Sequence, residues 1–307
     1  MRSRIERTDR AAFSKPVREH HVELRVAPWD DAGQRLLGLD IRIEGAPEPA
    51  SHRDCFGNQV HRAALLGAHD ALGVQMIAEV ETLFDNPFEL DQVAPAREPD
   101  WIGDSLRQAP RLWDFVLHRS PLTPDLASRH IAGDDDGGSR SADSASLPEW
   151  RPGIPMLTQV QEAMAWVGRQ FTYEPEAGAA PAALDGLLGT RSGGSADLAH
   201  LLISIVRGWS VPARFVTGYL DARYFDPDDE EPDPAPRPQR LHCWMEALIP
   251  GGGWRGFDPA HALLADASYI RLAVGRDARD VTGFRQSFKG DGALESLTAS
   301  LRVERLD

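Results

Sequence analysis

Residues Arg191 to Gly208 read RSGGSADLAHLLISIVRG. A Gly-rich turn runs straight into ADLAHLLISIV (Ala196 to Val206), which is apolar on nearly every face. A helix that is apolar all round is a buried one, and Gly208 sits where such a helix commonly ends. A buried helix needs a second layer against it. The flanking chain offers strands, RFVTGYL (Arg214 to Leu220) and HCWMEALI (His242 to Ile249). The expected C-terminal unit is therefore α+β, a buried helix packed on an antiparallel sheet. Upstream, Pro155 leads into MLTQVQEAMAWVGRQF, where Met156, Val160, Met164 and Val167 recur at helical spacing. That is an amphipathic helix docking on the same unit.

Further out the chain changes character twice. From His21 to Val80, HVELRV (His21 to Val26) and LLGLDIRIE (Leu36 to Glu44) alternate apolar and polar residues, with more strand-like sequence over Leu72 to Val80. Gly57-Asn58 reads as a tight connection. An antiparallel β-sandwich or sheet is the expected product. A helix is expected over Leu106 to Leu117, followed by GDDDGGSRSADSASLP (Gly133 to Pro148), too poor in apolar residues to bury itself and read as a solvated linker. FDPDDEEPDPAPRPQ (Phe225 to Gln239) is read as an exposed excursion between two strands, placed to serve as a flap beside His242. The division expected is a β-rich domain over residues 15–90, a helical connector and linker over 91–150, and the α+β domain over 151–307.

Composition narrows the function classes. The 307 residues carry 33 Lys and Arg against 47 Asp and Glu, a formal charge of -14. An acidic field repels phosphate, so nucleic acid and anionic membrane surfaces are not expected as partners. Two cysteines, Cys55 and Cys243, can build neither a disulfide framework nor a thiolate metal cage. The N-terminal MRSRIERTDRAAFSKP never reaches the apolar run of a secretory signal, and a cytoplasmic location is the expectation.

Three segments carry chemistry. Ser195 stands at the start of the buried helix, where free N–H groups and the positive end of the dipole can support a nucleophile and receive an oxyanion. His242 opens a strand, and Asp258 follows the next short strand in GFDPAH (Gly256 to His261). A hydroxyl, an imidazole base and a carboxylate that orients it follow the logic of a catalytic triad.

These residues also resemble a family. Gly194-Ser195-Ala196-Asp197-Leu198-Ala199-His200, VPARFVTGYL (Val211 to Leu220), His242, Trp244 and Glu246, Gly253-Trp254 and Phe257-Asp258-Pro259 are similar to the motifs of bacterial transglutaminase-like proteins, relatives of papain-type cysteine enzymes. AVGRDARDV (Ala273 to Val281) and GFRQSFKG (Gly283 to Gly290) resemble the family's C-terminal pattern. ELRVAP (Glu23 to Pro28), Gln34, Asp54 and Phe56-Gly57-Asn58 resemble its N-terminal β region. The resemblance implies a transglutaminase-like, papain-like core with His242 as base and Asp258 as orienter, acting on peptide or protein amides without a cofactor or metal. It also implies a cysteine where this chain has Ser195. A thiol at a helix N-terminus beside His ionises near neutral pH, whereas a hydroxyl must lose its proton in concert with attack. The reading is a catalytically silent or weak protein that binds a peptide or protein partner. Its alternatives are a working Ser-His-Asp amidase, protease or acyltransferase, and a Cys→Ser form of an active cysteine enzyme.

Neighbouring residues take plainer readings. Asp197 suits the first helical turn through the dipole, and His200 lies about 140° around the helix from Ser195. Cys243 is expected to face away from Ser195 if His242 faces it, because adjacent strand residues point to opposite sides. Cys55 is read as packing, and Trp244 and Trp254 as core more than cleft wall. His261 with His242 lacks the spacing of a metal site. Gly251-Gly252-Gly253 is a turn.

Overall fold

The computed structural model describes residues 1–127, 146–175, 183–220 and 240–306. Most of the 133–148 linker and all of the 225–239 excursion lie outside them. In chain order the elements are β1 (Arg2–Leu24), β2 (Gln34–Ile43), β3 (Ala50–Arg53), β4 (Gln59–Leu65), β5 (His69–Thr82), α1 (Glu98–Gln108) and α2 (Asp114–Leu117). Then come α3 (Met156–Gln170), β6 (Thr172–Tyr173), α4 (Leu184–Thr190), β7 (Ser192–Gly193), α5 (Ser195–Gly208) and β8 (Ala213–Leu220). The chain ends with β9 (His242–Ile249), β10 (Gly253–Asp258), β11 (Leu263–Leu264), β12 (Tyr269–Gly275), β13 (Phe284–Lys289) and β14 (Leu294–Arg305). The fold is α+β in three layers, and no described helix is long and apolar enough to cross a membrane.

The middle layer is an antiparallel sheet in the order β11-β10-β9-β8-β12. On one face, α3 and α5 bury Val160, Leu198, Leu201 and Leu202 against Phe215, Met245, Ala247 and Phe257. At the β8–β12 edge of this sheet, Tyr219, Ile270 and Leu272 join Ile5, Leu24, Val74 and Met76 of the N-terminal sheet. The N-terminal sheet runs β2-β5-β1-β4-β3, with β13 and β14 also paired to β1.

Strand β1 begins at Arg2, well before the first strand expected from sequence, and β13 and β14 return from the far end of the chain to pair with it. Sheet membership therefore departs from the 15–90 and 151–307 division. The early part of β1 hides its period because polar residues sit among its inward positions: Ser3 and Asp9 are buried alongside Ile5, Ala11 and Phe13. Asp9 is held there by Arg7, whose guanidinium also donates to the Tyr219 hydroxyl at 3.3 Å. The inward parity changes between Val17 and His20, where Glu19 takes a φ of 45° and the pairing register shifts. The helix expected over Leu106 to Leu117 is broken instead. Pro110 forces Ala109 out of helical geometry (φ -128°, ψ 80°), so α1 ends before a short 3-10 turn and α2.

Buried polar groups lock the layers together. Asn58, fully buried, donates to the Val274 carbonyl and accepts from the Val274 N–H, both at 2.8 Å. Gln34 does the same for Arg271. The Gly251 to Gly253 turn touches the connector so closely that a Cβ on Gly251 would lie 2.1 Å from the Asp91 carbonyl oxygen. Each buried group left unpaired costs roughly 1–3 kcal/mol. Asn58→Ala orphans both backbone groups of Val274 and is expected to lower the unfolding free energy by about 2–4 kcal/mol in urea denaturation.

Candidate active site

The N-terminus of α5 is built by Gly194 and Asp197. Gly194 is the capping residue, and its N–H donates to Asp197 Oδ2 at 3.0 Å while the Asp197 N–H donates to the Gly194 carbonyl. Asp197 is thereby occupied as a cap, in keeping with its plainer reading. Ser195, half-buried, is the first residue of the helix.

His242 starts β9 opposite Gly218, and Asp258 ends β10. Gly218 is required there: a Cβ would meet the Trp244 ring at 2.5 Å and the Ile270 carbonyl oxygen at 2.2 Å. The His242 Nε2 lies 2.7 Å from Asp258 Oδ2, with Asp258 fully buried. The same oxygen receives the Tyr269 hydroxyl at 2.9 Å and His261 Nδ1 at 2.9 Å, while Oδ1 accepts the Ala260 N–H. Burial alone would raise the Asp258 carboxyl, but the His242 charge and the bonds from His242 and His261 outweigh it. They hold the carboxyl well below the usual carboxylate range. An ionised carboxylate only accepts, so both imidazoles present N–H to it. In the neutral ring, His242 Nδ1 carries the lone pair of a base, and it makes no hydrogen bond to another described residue.

Ser195 meets this pair in a way that the alternation of a strand does not suggest. Its Oγ accepts the backbone N–H of Cys243 at 3.2 Å, and no hydrogen bond joins it to His242 among the described residues. The expectation that Cys243 faces away from Ser195 is corrected. Helix α5 covers the face of β9 that carries Met245 and Ala247, and Cys243 belongs to that face, leaving His242 at the strand's opening. Burial pushes the Cys243 thiol up to about 12, against hydrogen bonds with Thr217 and Ser195 that lower it. A thiol held protonated beside Ser195 is no substitute nucleophile.

The remaining residues fall outside the reacting group. His200 is buried, its Nε2 accepts the Ala278 N–H, and burial brings it down to about 3, so it stays neutral. Trp244 is core beneath Tyr269, and Trp254 lies under the Arg214 guanidinium at 4.1 Å. Glu246 is buried between Arg214 and Arg271 as an ion-pair hub. Cys55 is exposed rather than packed, because it lies in the turn between β3 and β4. Ligand atoms of His242, Asp258 and His261 lie within 4.8 Å of one another. The geometry among them is that of hydrogen bonds, all directed at one carboxylate oxygen. Tyr269 and the contact of His261 with Asp258 were beyond sequence reasoning. Tyr269 sits eleven positions downstream on another strand, and only His261 was visible, through the GFDPAH run.

Removing the carboxylate would take the acceptor from four donors, those of His242, His261, Tyr269 and the Ala260 N–H. Asp258→Ala is expected to cost about 3–5 kcal/mol, the scale for leaving one member of a buried pair uncompensated. Because the folded carboxyl titrates below its unfolded value near 3.9, its contribution is complete above that pH and is lost as pH falls from there through the lower folded value. The stability gap between wild type and Asp258→Ala, followed by urea denaturation, should therefore be widest at neutral pH and shrink below about pH 4.

Known proteins align with this architecture. Residues 4–81 match the bacterial transglutaminase-like N-terminal region, and residues 151–259 match the transglutaminase-like superfamily core. An uncharacterized protein of Mycobacterium leprae is 26% identical over 308 residues, covering 99% of both chains. One from Mycobacterium tuberculosis H37Rv is 27% identical over 297 residues, covering 92% of this chain and 86% of its own. A Cytophaga hutchinsonii crystal structure, provisionally named a cysteine protease, superposes with a TM-score of 0.69 at 17% identity, covering 100% of this chain and 92% of that one, which shows a shared fold. The chain thus joins a bacterial transglutaminase-like N-terminal region to a transglutaminase-like core.

Proposed function

We propose that this transglutaminase-like protein uses its cleft to bind a peptide or protein partner and turns over amides weakly or not at all. The observation that carries the reading is the Ser195 Oγ, which accepts the Cys243 N–H and has no bond to His242. A hydroxyl engaged by a peptide N–H as acceptor is a poorer nucleophile, and no described imidazole is hydrogen-bonded to it. The base and its orienting carboxylate are bonded to each other, while the Ser195 oxygen ties α5 to β9. The net charge of -14 favours a protein or peptide partner over nucleic acid.

A second reading, an active Ser-His-Asp amidase or acyltransferase, draws support from His242 Nδ1, which bonds no other described residue. There Ser195 Oγ would attack the amide carbon, His242 would take the hydroxyl proton and return it to the leaving amine, and water would release the acyl group. A Cys→Ser form of an active cysteine enzyme would share the geometry, and the natural gene at codon 195 separates that case.

Under the first reading, a fluorophosphonate probe leaves wild type unlabelled. Ser195→Cys, assayed under reducing conditions because Cys243 lies beside it, gains amide hydrolysis or amine transfer that His242→Ala abolishes. Labelling of wild type that vanishes in Ser195→Ala would establish the second reading instead. A folded Ser195→Cys variant with no gain would show that the ancestral site is gone.

A further inference from the structure

Strand β1 changes partners partway along. Arg2 to Ala12 pair with β5, and with β14 from Ser3, while His20 to Leu24 pair with β4 and, from His21, with β13. Between the two stretches Glu19 takes its positive φ, and the registers with β5 and β13 both shift. His20 follows directly on that break and is fully buried. Its Nδ1 lies 3.0 Å from His69 Nε2 on β5, and its Nε2 lies 2.9 Å from Gln286 Oε1 on β13. His69 Nδ1 in turn lies 3.0 Å from the Gly67 carbonyl oxygen. The Phe13 and Phe288 rings stand steeply against the His20 ring.

The two imidazoles lie edge to edge. Their planes are 9° apart and their centres 5.2 Å, with 3.0 Å between the bonded nitrogens. Nitrogens come that close at that spacing of centres only when both lie on the line joining the rings, so the pair is coplanar and the bond straight. Counting hydrogens along the chain fixes the charge it carries. A carbonyl only accepts, so His69 Nδ1 is an N–H. One hydrogen must also lie between the two rings. With Gln286 turning its carbonyl to His20, His20 Nε2 is an N–H as well, and three hydrogens on four nitrogens leave one positive charge on the pair. Turning the Gln286 amide nitrogen to His20 instead leaves two hydrogens and no charge, and every bond survives. A fourth hydrogen has no place, because two N–H groups would face each other across 3.0 Å.

We propose that the His20–His69 pair is an acid-sensitive joint of the N-terminal sheet: the rings stay bonded while they share one extra proton, and a second proton parts β1 from β5 at this point. The surroundings offer that second proton no compensation. Burial holds the His20 ring below the ordinary histidine range against the Gln286 carbonyl, and His69 and His21 add to the lowering. Strand β4 sets Leu65 opposite His20, and β13 brings Gln286 and Phe288, none of which titrates. Asp70 follows His69 on β5 but is exposed, as alternation to the other side of the strand requires, and Glu19 is engaged by Lys289. In the opened joint both rings titrate near 6.5. Below that pH the opened joint binds one proton more than the closed one, so opening becomes easier by up to about tenfold per pH unit until His20 itself titrates.

Amide hydrogen exchange of the full chain, corrected for the intrinsic rate at each pH, tests this. The comparison is His20→Asn, whose side-chain oxygen accepts from His69 whatever the charge on that ring. Between about pH 6.5 and 5.5, opening constants over residues 17–24 should rise about fivefold more in wild type than in the variant. Imidazole nitrogen-15 spectra of wild type give a second readout that needs no variant: near neutral pH, a coupling across the hydrogen bond joins His20 Nδ1 to His69 Nε2. An equal acid response in wild type and His20→Asn overturns the proposal, as does the absence of that coupling.

Discussion

A fully buried carboxylate, Asp258, organises the reactive end of this molecule. Its charge is excluded from water and survives because His242, His261 and Tyr269 all direct hydrogens at one oxygen. An unpaired charge in such a place would cost several kcal/mol, so the fold is obliged to bring those side chains together. They come from the start of β9, the turn after β10 and the start of β12. The carboxylate therefore fixes the relative positions of three chain segments as well as the tautomer of His242.

The Ser195 side of the site is governed by the helix end. Capping by Asp197 and the Gly-rich approach set the first turn of α5 against β9, and that contact presents the Cys243 N–H to whatever atom residue 195 carries. An oxygen takes that hydrogen bond, worth about 1 kcal/mol net, as a structural tie. A sulfur in the same place would accept it poorly and would instead ionise under the influence of the dipole and the imidazole. Under the proposed reading, the oxygen at residue 195 serves architecture where a sulfur would serve chemistry.

Much of this was legible in the sequence wherever the local pattern agreed with the global fold. The apolar run of α5 and the strands β8 and β9 announced themselves because each is buried on both sides or nearly so. The first dozen residues did not, since Arg7 and Asp9 occupy sheet positions that only the distant Tyr219 explains. The return of β13 and β14 to β1 was hidden for a similar reason: an edge strand with most of its residues exposed has no burial period to read. At the site, His242 and Asp258 were visible as a motif. The side on which Cys243 lies depended on which face α5 covers, and that is a tertiary fact.

The central claim is that Ser195 is bonded to the backbone of β9 and not to the base. Nitrogen-15 NMR of wild type against Ser195→Ala addresses it most directly. The account predicts that the Cys243 amide proton moves upfield and exchanges faster in the variant, while the His242 ring resonances keep their positions. Displaced His242 ring resonances with an unmoved Cys243 amide would mean that the hydroxyl serves the imidazole after all.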